Sequence, residues 1–349
     1  MRFELSEDQA LLRTSTRDFL AAAFPFEKSR RVMEDPRGYE AAQWAQLAEM
    51  GYLGLTVPPA AGGQGLGVVE LAVVCEEMGR ACVPGPYLDA VLAAELLVAG
   101  GGQEKLLGEI CAGRRLVTIA RADGVFAGRQ EPAARLDGGR VRGRKWFVPF
   151  AAQADALLVV VPEGVALVEA PFEVTALPTI DPAQRFGEVR LDHAARFLGP
   201  ETLLERVDQR AAVGAAAVLL GVMSRLLGMT RDYLQTRQAF MRPIGAFQAL
   251  QHRMADMLLR TESTRSAVYR AAWCQDAGDP AAPLASAAAK AYAGDAARLV
   301  GGEAIQLHGG IGFTWELDVH YYFKRVKTLE QHYGSTETQL ERALAAAGL

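Results

Sequence analysis

The sequence predicts a mainly α-helical protein with a central β domain. Three observations predict this fold class: helical spacing of apolar residues in the first third, short apolar runs between turn residues in the middle, and long helical patterns to the end. We expect an N-terminal α-helical domain over 1–115, an antiparallel, β-barrel-like middle domain over 116–200, and a C-terminal four-helix bundle over 201–349.

The N-terminal domain is predicted to be a set of helices. Ser6 is placed to cap a helix that starts at Glu7. Further helices are expected at about 38–50, at 68–80, and in two segments between 87 and 112. In the helix over 68–80, we expect Glu76 and Glu77 to lie on the outer face.

The middle domain carries strand-length apolar runs with turn residues between them. The runs lie at 116–120, 141–148, 156–161, 165–168, 173–177 and 187–191. The turn sequence at 137–139, Asp-Gly-Gly, is a strong hairpin signal between two of these runs. Together they predict a small antiparallel β domain.

The C-terminal region returns to helical patterns. One long helix is expected over 207–239, and residues 241–243 break it. Three more helices are expected at 247–277, 283–301 and 337–347. Short connections between helices of this length are typical of a bundle.

The composition limits the classes of function. The 37 basic and 41 acidic residues give a net charge of −4, which argues against a general nucleic-acid or membrane-surface binder. The N-terminus does not resemble a secretory signal, and no uncharged apolar run reaches the roughly 18 residues of a membrane span. We therefore expect no membrane insertion.

Cysteine and histidine usage favours a cytoplasmic protein without a metal. The four cysteines are scattered, with no C-x-x-C spacing, and we expect buried, reduced thiols. The histidines do not cluster with them at ligand spacing. Neither a P-loop nor a G-x-G-x-x-G between a strand and a helix is present.

Several strings resemble, in the same order along the chain, those of the acyl-CoA dehydrogenase family. They are GLTVP (54–58), GGQGLG (62–67), EEMGR (76–80), GRKWFV (143–148), RQAF (237–240), PIGAFQ (243–248), QHRMADM (251–257) and QLHGGIGFTWE (306–316). Much of the excess of glycine, 35 of 349 residues, lies in these loops. The resemblance implies the three-domain acyl-CoA dehydrogenase fold.

The resemblance also implies FAD as cofactor and an acyl-CoA thioester as substrate. FAD takes a hydride from the β-carbon while a carboxylate removes the α-proton. The positions that match the family's FAD-contacting residues are Arg237, Phe240, Gln248, Gln306, Gly309, Gly310, Thr336 and Trp146. Arg237 matches an arginine that reaches the pyrophosphate, and the glycines allow backbone N–H groups to approach it.

The β-domain part of the implied flavin site departs from the family pattern. Family members carry a threonine or serine shortly after the aromatic pair, where this chain has Val148 and Pro149. The family's T-E-P-x-x-G-S-D-type string is replaced by Ala-Arg-Ala-Asp-Gly-Val at 120–125. Met241 stands where the family has a glycine after Phe240.

The catalytic glutamate of the family is missing from its usual position. In the family it lies in Y-E-G-T near the C-terminus, where this chain reads Tyr-Gly-Ser-Thr at 333–336, so Gly334 takes its place. Some members carry the base early in the long bundle helix, and that position is Ala211 here. Neither side chain can accept a proton.

Three acidic residues remain as substitutes for the missing base. Asp208 lies about one turn before Ala211, and Glu205 lies further back. Glu337 follows the Tyr-Gly-Ser-Thr segment. A charge that complements a helix N-terminus is the ordinary alternative for Asp208.

The resemblance leaves three functional hypotheses. The chain resembles the short partner chains of bacterial α2β2 acyl-CoA dehydrogenases, many of which act on steroid-derived CoA thioesters, and a partner would then supply the base. Alternatively, it is a self-sufficient flavoenzyme, as a homodimer or homotetramer, with Asp208 or Glu205 as a displaced base. The third hypothesis is a non-catalytic flavin- or acyl-CoA-binding scaffold.

Overall fold

The computed structural model describes residues 4–124 and 134–349. The chain divides into two compact units, each made of separated segments. One unit contains residues 1–29, 68–83 and 209–349, and is called here the helical unit. The other contains residues 30–67 and 84–208, and is called the β unit. The three sequential domains of the sequence analysis stay a prediction.

The described residues form eleven α-helices. These are α1 (Glu7–Ala23), α2 (Phe26–Glu34), α3 (Ala41–Glu49), α4 (Val68–Arg80), α5 (Tyr87–Gly100), α6 (Glu104–Cys111), α7 (Leu204–Thr236), α8 (Gln248–Asp276), α9 (Ala282–His308), α10 (Val319–Gln331) and α11 (Thr336–Ala346). The Ser6 cap is confirmed: its hydroxyl accepts from the backbone N–H of Gln9, whose side chain bonds back to Ser6.

The helical unit is built around α7 and α9. Within it, α1 packs on α4, α4 on α8, and α9 on α8, α10 and α11. Two glycines let α4 and α7 cross with their backbones in contact. A Cβ on Gly79 would lie 2.0 Å from the Val218 carbonyl oxygen, and a Cβ on Gly221 would lie 1.8 Å from the Glu76 carbonyl oxygen.

The expectation that Glu76 and Glu77 face outward is wrong. Both are buried, at 4% and 1% exposure. Glu76 accepts hydrogen bonds from Arg265 and, at 2.7 Å, from the Tyr269 hydroxyl. Glu77 pairs with Arg17 at 2.6 Å. Buried carboxylates require such partners, and these partners come from other helices.

The β unit contains the sheet. Its strands are β1 (Val117–Ala120), β2 (Arg135–Asp137), β3 (Arg140–Pro149), β4 (Ala156–Val161), β5 (Gly164–Glu169), β6 (Glu173–Leu177) and β7 (Phe186–Gly199). They are ordered β1-β4-β5-β7-β3-β2, and β6 also pairs with β7. The inward-facing residues of these strands form one apolar cluster that includes Val141, Leu157 and Val189.

The sheet differs from the expected pattern in two respects. The β1–β4 pair is parallel, whereas the other pairs of this sheet are antiparallel. The run expected at 187–191 is part of the much longer β7, which pairs with β3, β5 and β6. The hairpin at 137–139 is confirmed, since Asp137 and Arg140 are partners across it.

The observed helix bounds differ most from the predicted ones in the C-terminal region. Helix α7 begins and ends about three residues before its predicted bounds, and α9 extends seven residues past its predicted end to His308. Helix α10 was not predicted. The break after α7 is a two-stranded hairpin, β8 (Gln238–Ala239) and β9 (Arg242–Pro243).

Helix α7 passes a length and hydropathy test for a membrane span. Among the described residues it does so with a mean hydropathy of 1.8 over its most apolar stretch, and 72% of that stretch is buried within the protein. Burial of this kind is what the core helix of a bundle requires.

Candidate functional site

The C-terminal ends of α7 and α9 meet in the helical unit. The rings of Tyr233 and His308 stack with their centroids 4.6 Å apart. His308 Nδ1 lies 2.7 Å from the Ala304 carbonyl oxygen, and burial lowers the pKa of this histidine. A buried, neutral imidazole in stacking contact joins the two helix ends, so His308 has a structural role here.

Arg237 and Phe240 project from this junction. Arg237 follows the last residue of α7 and is exposed, and its guanidinium has no hydrogen-bond or ion-pair partner in the part of the chain that the structure describes. Phe240 is 87% exposed at the tip of the β8–β9 hairpin, with one edge-to-face contact to Phe247. The unpaired guanidinium of Arg237 and the exposed ring of Phe240 are both groups that can bind a ligand.

Met241, which stands where the family pattern has a glycine, has a backbone conformation typical of glycine. Its φ is +62°, a left-handed conformation that glycine adopts freely and other residues rarely adopt. Its side chain is fully exposed. The hairpin therefore forms here with a non-glycine residue at this position.

The loop after α9 begins with an exposed backbone without side chains next to this junction. Gln306 is exposed on the last turn of α9, and Gly309 ends the helix with φ +62°. A Cβ built on Gly309 or Gly310 would meet nothing within 4 Å, so the backbone there faces open space. Amide groups on such a loop can approach an anion closely.

These observations test whether the chain fits FAD. Arg237 supplies a charge for a diphosphate, Gly309 and Gly310 supply an open backbone, and Phe240 supplies a ring surface for stacking. Gln248, at the exposed start of α8, lies on the segment that follows the hairpin. The donors present on this face fit a diphosphate-containing cofactor.

Thr336 lies in a different place. It is the first residue of α11, its hydroxyl is 3.4 Å from Asp295 of α9, and it packs against Gly294. At 1.5 Å per residue, Asp295 is about 17 Å along α9 from Gln306. The structure therefore does not bring Thr336 together with the residues at the α7–α9 junction.

Gly334 has a conformation that only glycine adopts readily. Its φ is +99°, and a Cβ would lie 2.6 Å from Nε2 of Gln339. Its carbonyl oxygen accepts a hydrogen bond from Lys290 Nζ at 3.0 Å. Lys290 is buried, which lowers its pKa to about 8.

The backbone at 333–335 also accommodates a second alignment with Y-E-G-T. Gly334 has a φ of +99°, which favours glycine, so it can be matched to the glycine of that motif, which would place Tyr333 at the position of the glutamate. Ser335 then caps α11 by accepting from the Thr338 N–H. In either alignment this segment offers no carboxylate.

The substitute bases have other partners or lie in solvent. Both carboxylate oxygens of Asp208 accept hydrogen bonds from the guanidinium of Arg121, the second at 3.1 Å. Glu205 is exposed on the first turn of α7. Glu337 is exposed at the start of α11, where hydrogen bonds from its own backbone N–H and from Ser335 lower its pKa. Ala211 is buried, as a methyl group in the core.

Trp146 belongs to the β unit, on β3, and is half-buried. Its backbone N–H donates to the Ala122 carbonyl oxygen at 2.8 Å. The next residue, Phe147, is exposed at φ +50°, where the β3–β7 register shifts. The aromatic pair therefore lies on an irregular part of the strand.

The sequence analysis missed two buried lysines. Lys145 is fully buried and binds Asp123 at 2.6 Å and the Arg121 carbonyl oxygen at 2.9 Å. Lys145 lies on the same inward face of β3 as Val141, two strand repeats before it. This alternation is the signal from which its burial could have been predicted. Lys290 sits within the Ala-rich run of α9, where a single lysine among small residues was the available signal.

Comparisons with known proteins agree with this architecture. Residues 6–113 match the family model for the acyl-CoA dehydrogenase N-terminal domain, and residues 206–348 match that for the C-terminal domain. The chain is 32% identical to acyl-CoA dehydrogenase IpdE2 of Mycolicibacterium smegmatis, covering 97% of this chain and 98% of that one. It is 30% identical to acyl-CoA dehydrogenase FadE27 of Mycobacterium tuberculosis, covering 90% of each.

Two solved structures resemble the whole chain at 30% identity. One is the ChsE4–ChsE5 complex from Mycobacterium tuberculosis, with a TM-score of 0.90 over 100% of this chain and 99% of that one. The other is the Tcur3481–Tcur3483 steroid ACAD G363A variant, with a TM-score of 0.89 over 98% of each chain. The predicted fold class is confirmed. The chain belongs to the acyl-CoA dehydrogenase family, whose members are FAD-dependent oxidoreductases acting on CH–CH donors.

Proposed function

We propose that this chain is one subunit of a cytoplasmic, hetero-oligomeric acyl-CoA dehydrogenase, and that a second acyl-CoA dehydrogenase chain supplies the catalytic base. Both solved relatives at 30% identity are named in their titles as assemblies of two different proteins. One of these titles names a steroid acyl-CoA dehydrogenase, which supports a steroid-derived CoA thioester as substrate.

The residues at the family's two base positions carry this proposal. The sequence match puts Gly334, or Tyr333 in the second alignment, at one position and Ala211 at the other, and Arg121 binds both oxygens of Asp208. A general base must reach the α-proton with a free lone pair. Asp208 therefore acts as a structural partner of Arg121 in this account.

The chain's contribution is to bind and orient the cofactor. FAD supplies the hydride acceptor when it is bound. Arg237 would hold a phosphate with its planar fork, the open backbone at Gly309 and Gly310 would let the diphosphate approach closely, and Phe240 would pack on a ring. Gln306 and Gln248 would add amide hydrogen bonds. The roles of Thr336 and Trp146 stay predictions from the family resemblance.

A co-expression experiment tests the proposal. The chain is produced alone and together with a second acyl-CoA dehydrogenase chain, and desaturation of a panel of acyl-CoA thioesters, including steroid-derived ones, is measured. We expect activity only in the complex, and Asp208→Asn is expected to leave that activity unchanged.

Two outcomes would contradict the proposal. Desaturation by the chain alone, abolished in Asp208→Asn or in Glu205→Gln, would identify a self-sufficient flavoenzyme. A stable, flavin-free protein that binds CoA thioesters and gains no activity with any partner would identify a scaffold.

A matched pair of variants tests the role of Arg237 in the complex. Arg237→Gln removes a charge-assisted bond to phosphate, and we expect about ten-fold weaker retention of FAD. Arg231→Gln is the control, since Arg231 is exposed on the same helix and pairs with its neighbour Asp232 at 2.8 Å. Equal FAD content in both variants would remove Arg237 from the site.

A further inference from the structure

A cavity of about 210 Å³ lies in the helical unit, among the ends of α1 and α4, the middle of α7 and the start of α10. Three arginines reach it, each from a different helix: Arg17, Arg80 and Arg225. The Tyr322 hydroxyl and the Glu77 carboxylate complete its polar lining. None of these residues belongs to the proposed flavin site.

The charges that line this cavity do not balance. Glu77 is committed to Arg17, through bonds of 3.0 Å and 2.6 Å. In the described part of the chain the Arg80 guanidinium has no hydrogen-bond or ion-pair partner, and Arg225 bonds only the neutral Tyr322 hydroxyl. The lining residues, three arginines and one glutamate, therefore carry a net charge of +2.

The more distant acids do not supply one. Glu76 lies on the same helix as Arg80, but it is bound by Arg265 and Tyr269. Burial, and the like charges of Arg17 and Arg225, lower the pKa of Arg80 more than Glu77 and Glu76 raise it. Keeping the half-buried Arg80 guanidinium beside two like charges costs free energy, which a bound anion would offset.

The remaining walls are apolar. Leu20, Phe24 and Phe26 also line the cavity, and Phe26 is held by edge-to-face and stacked contacts with Tyr321 and Tyr322. The volume is below the roughly 300–1,000 Å³ of pockets for drug-sized ligands, which favours a small ligand.

We propose that this cavity binds a small organic carboxylate with a short apolar tail. The carboxylate accepts hydrogen bonds from Arg80 and Arg225, and the tail packs against Leu20 and Phe24. The Tyr322 hydroxyl donates to the Arg80 carbonyl oxygen at 3.2 Å and so helps to fix the arginine-bearing end of α4. Arg17, half-exposed at the edge, stays paired with Glu77. The site is independent of the proposed function, because it needs neither FAD nor a partner chain.

Calorimetric titration of the full chain with three probes tests this site. Butyrate carries both the charge and the tail, butyramide carries the tail without the charge, and inorganic phosphate carries the charge without the tail. We expect butyrate to bind, butyramide not to bind, and phosphate to bind more weakly than butyrate. In Arg80→Gln and Arg225→Gln, butyrate is expected to bind at least about ten-fold more weakly.

The control variant is Arg231→Gln, which alters an exposed arginine on α7 outside the cavity. Because the Arg80 guanidinium has no hydrogen-bond or ion-pair partner within residues 4–124 and 134–349, Arg80→Gln is expected to keep the wild-type melting temperature without butyrate and to lose the increase that butyrate causes. No binding of butyrate to the wild type, or equal binding to all variants, would overturn the proposal. Phosphate binding as tight as butyrate binding would overturn the assignment to an organic carboxylate.

Discussion

Gly334 shows how a single residue links fold and function. Its positive φ strains any other residue, and a Cβ here would lie 2.6 Å from Nε2 of Gln339, so a side chain at this position requires Gln339 to move. The Lys290 ammonium binds the carbonyl oxygen of the same residue. The local backbone therefore favours glycine at 334, whichever family residue this position matches.

Replacing Gly334 by alanine is expected to destabilise the protein by about 2 kcal/mol, because alanine is strained at a φ of +99° and its Cβ would clash with Gln339. Urea unfolding measures the change. Gly302→Ala is the control: Gly302 lies inside α9 with open space around it, so alanine there is expected to stabilise by up to about 1 kcal/mol. Equal effects of the two substitutions would refute the strain argument.

Lys290 predicts a pH dependence of stability. Its pKa is about 8 in the folded chain and 10.5 in an exposed lysine, so between these values the unfolded chain binds more protons. The free energy of unfolding therefore rises with pH across this window, by up to about 3 kcal/mol from this group. Lys290→Met is expected to remove that rise.

The measurement is urea unfolding at pH 7 to 11 for the wild type and two variants. The free energy of unfolding of each variant is subtracted from that of the wild type at each pH, so that the contributions of other titrating groups cancel. Lys105→Met is the control, because Lys105 is exposed on α6. A Lys290→Met profile parallel to that of the wild type would show that the lysine has an ordinary pKa.

At the scale of elements, the helical unit depends on buried ion pairs between helices. Glu76 of α4 is bonded to Arg265 and Tyr269 of α8, which are 189 and 193 residues away in sequence. Charged residues are usually exposed, so a local pattern predicts an outer face for Glu76. Only the partners on the distant helix explain its burial.

Glu76→Ala is expected to destabilise the protein by about 3 kcal/mol or more, because Arg265 and Tyr269 lose a buried partner. Glu262→Ala removes the exposed partner of the same arginine and is expected to cost about 1 kcal/mol or less. Thermal unfolding compares the two. Similar losses in both variants would show that the burial of Glu76 does not determine the strength of this pair.

The elements that the sequence predicted are those with strong local signals. The Ser6 cap, the hairpin at 137–139 and α4 are determined by nearby residues. The parallel β1–β4 pair and the full length of β7 depend on pairing between distant segments. Helix α10 has four consecutive aromatic or imidazole side chains directly after its first residue, which have modest helix propensity.

At the scale of the whole molecule, family membership follows from strings spread over the chain, whereas the candidate site follows from the sequence only in part. The α7–α9 junction unites Arg237 and Phe240 with the Gln306–Gly310 loop through the Tyr233–His308 stack. No string in the sequence contains that contact. The arginine cavity likewise joins four helices that are far apart in sequence.

The central claim is that this chain shares FAD with a partner and has no base of its own. The most direct test is the flavin absorbance per chain, with its bleaching by acyl-CoA, for the chain alone and for the purified complex. We expect little flavin on the chain alone, and about one FAD for every two chains in the complex, bleached by substrate. A chain that purifies alone with about one FAD per chain, bleached by acyl-CoA, would contradict the account.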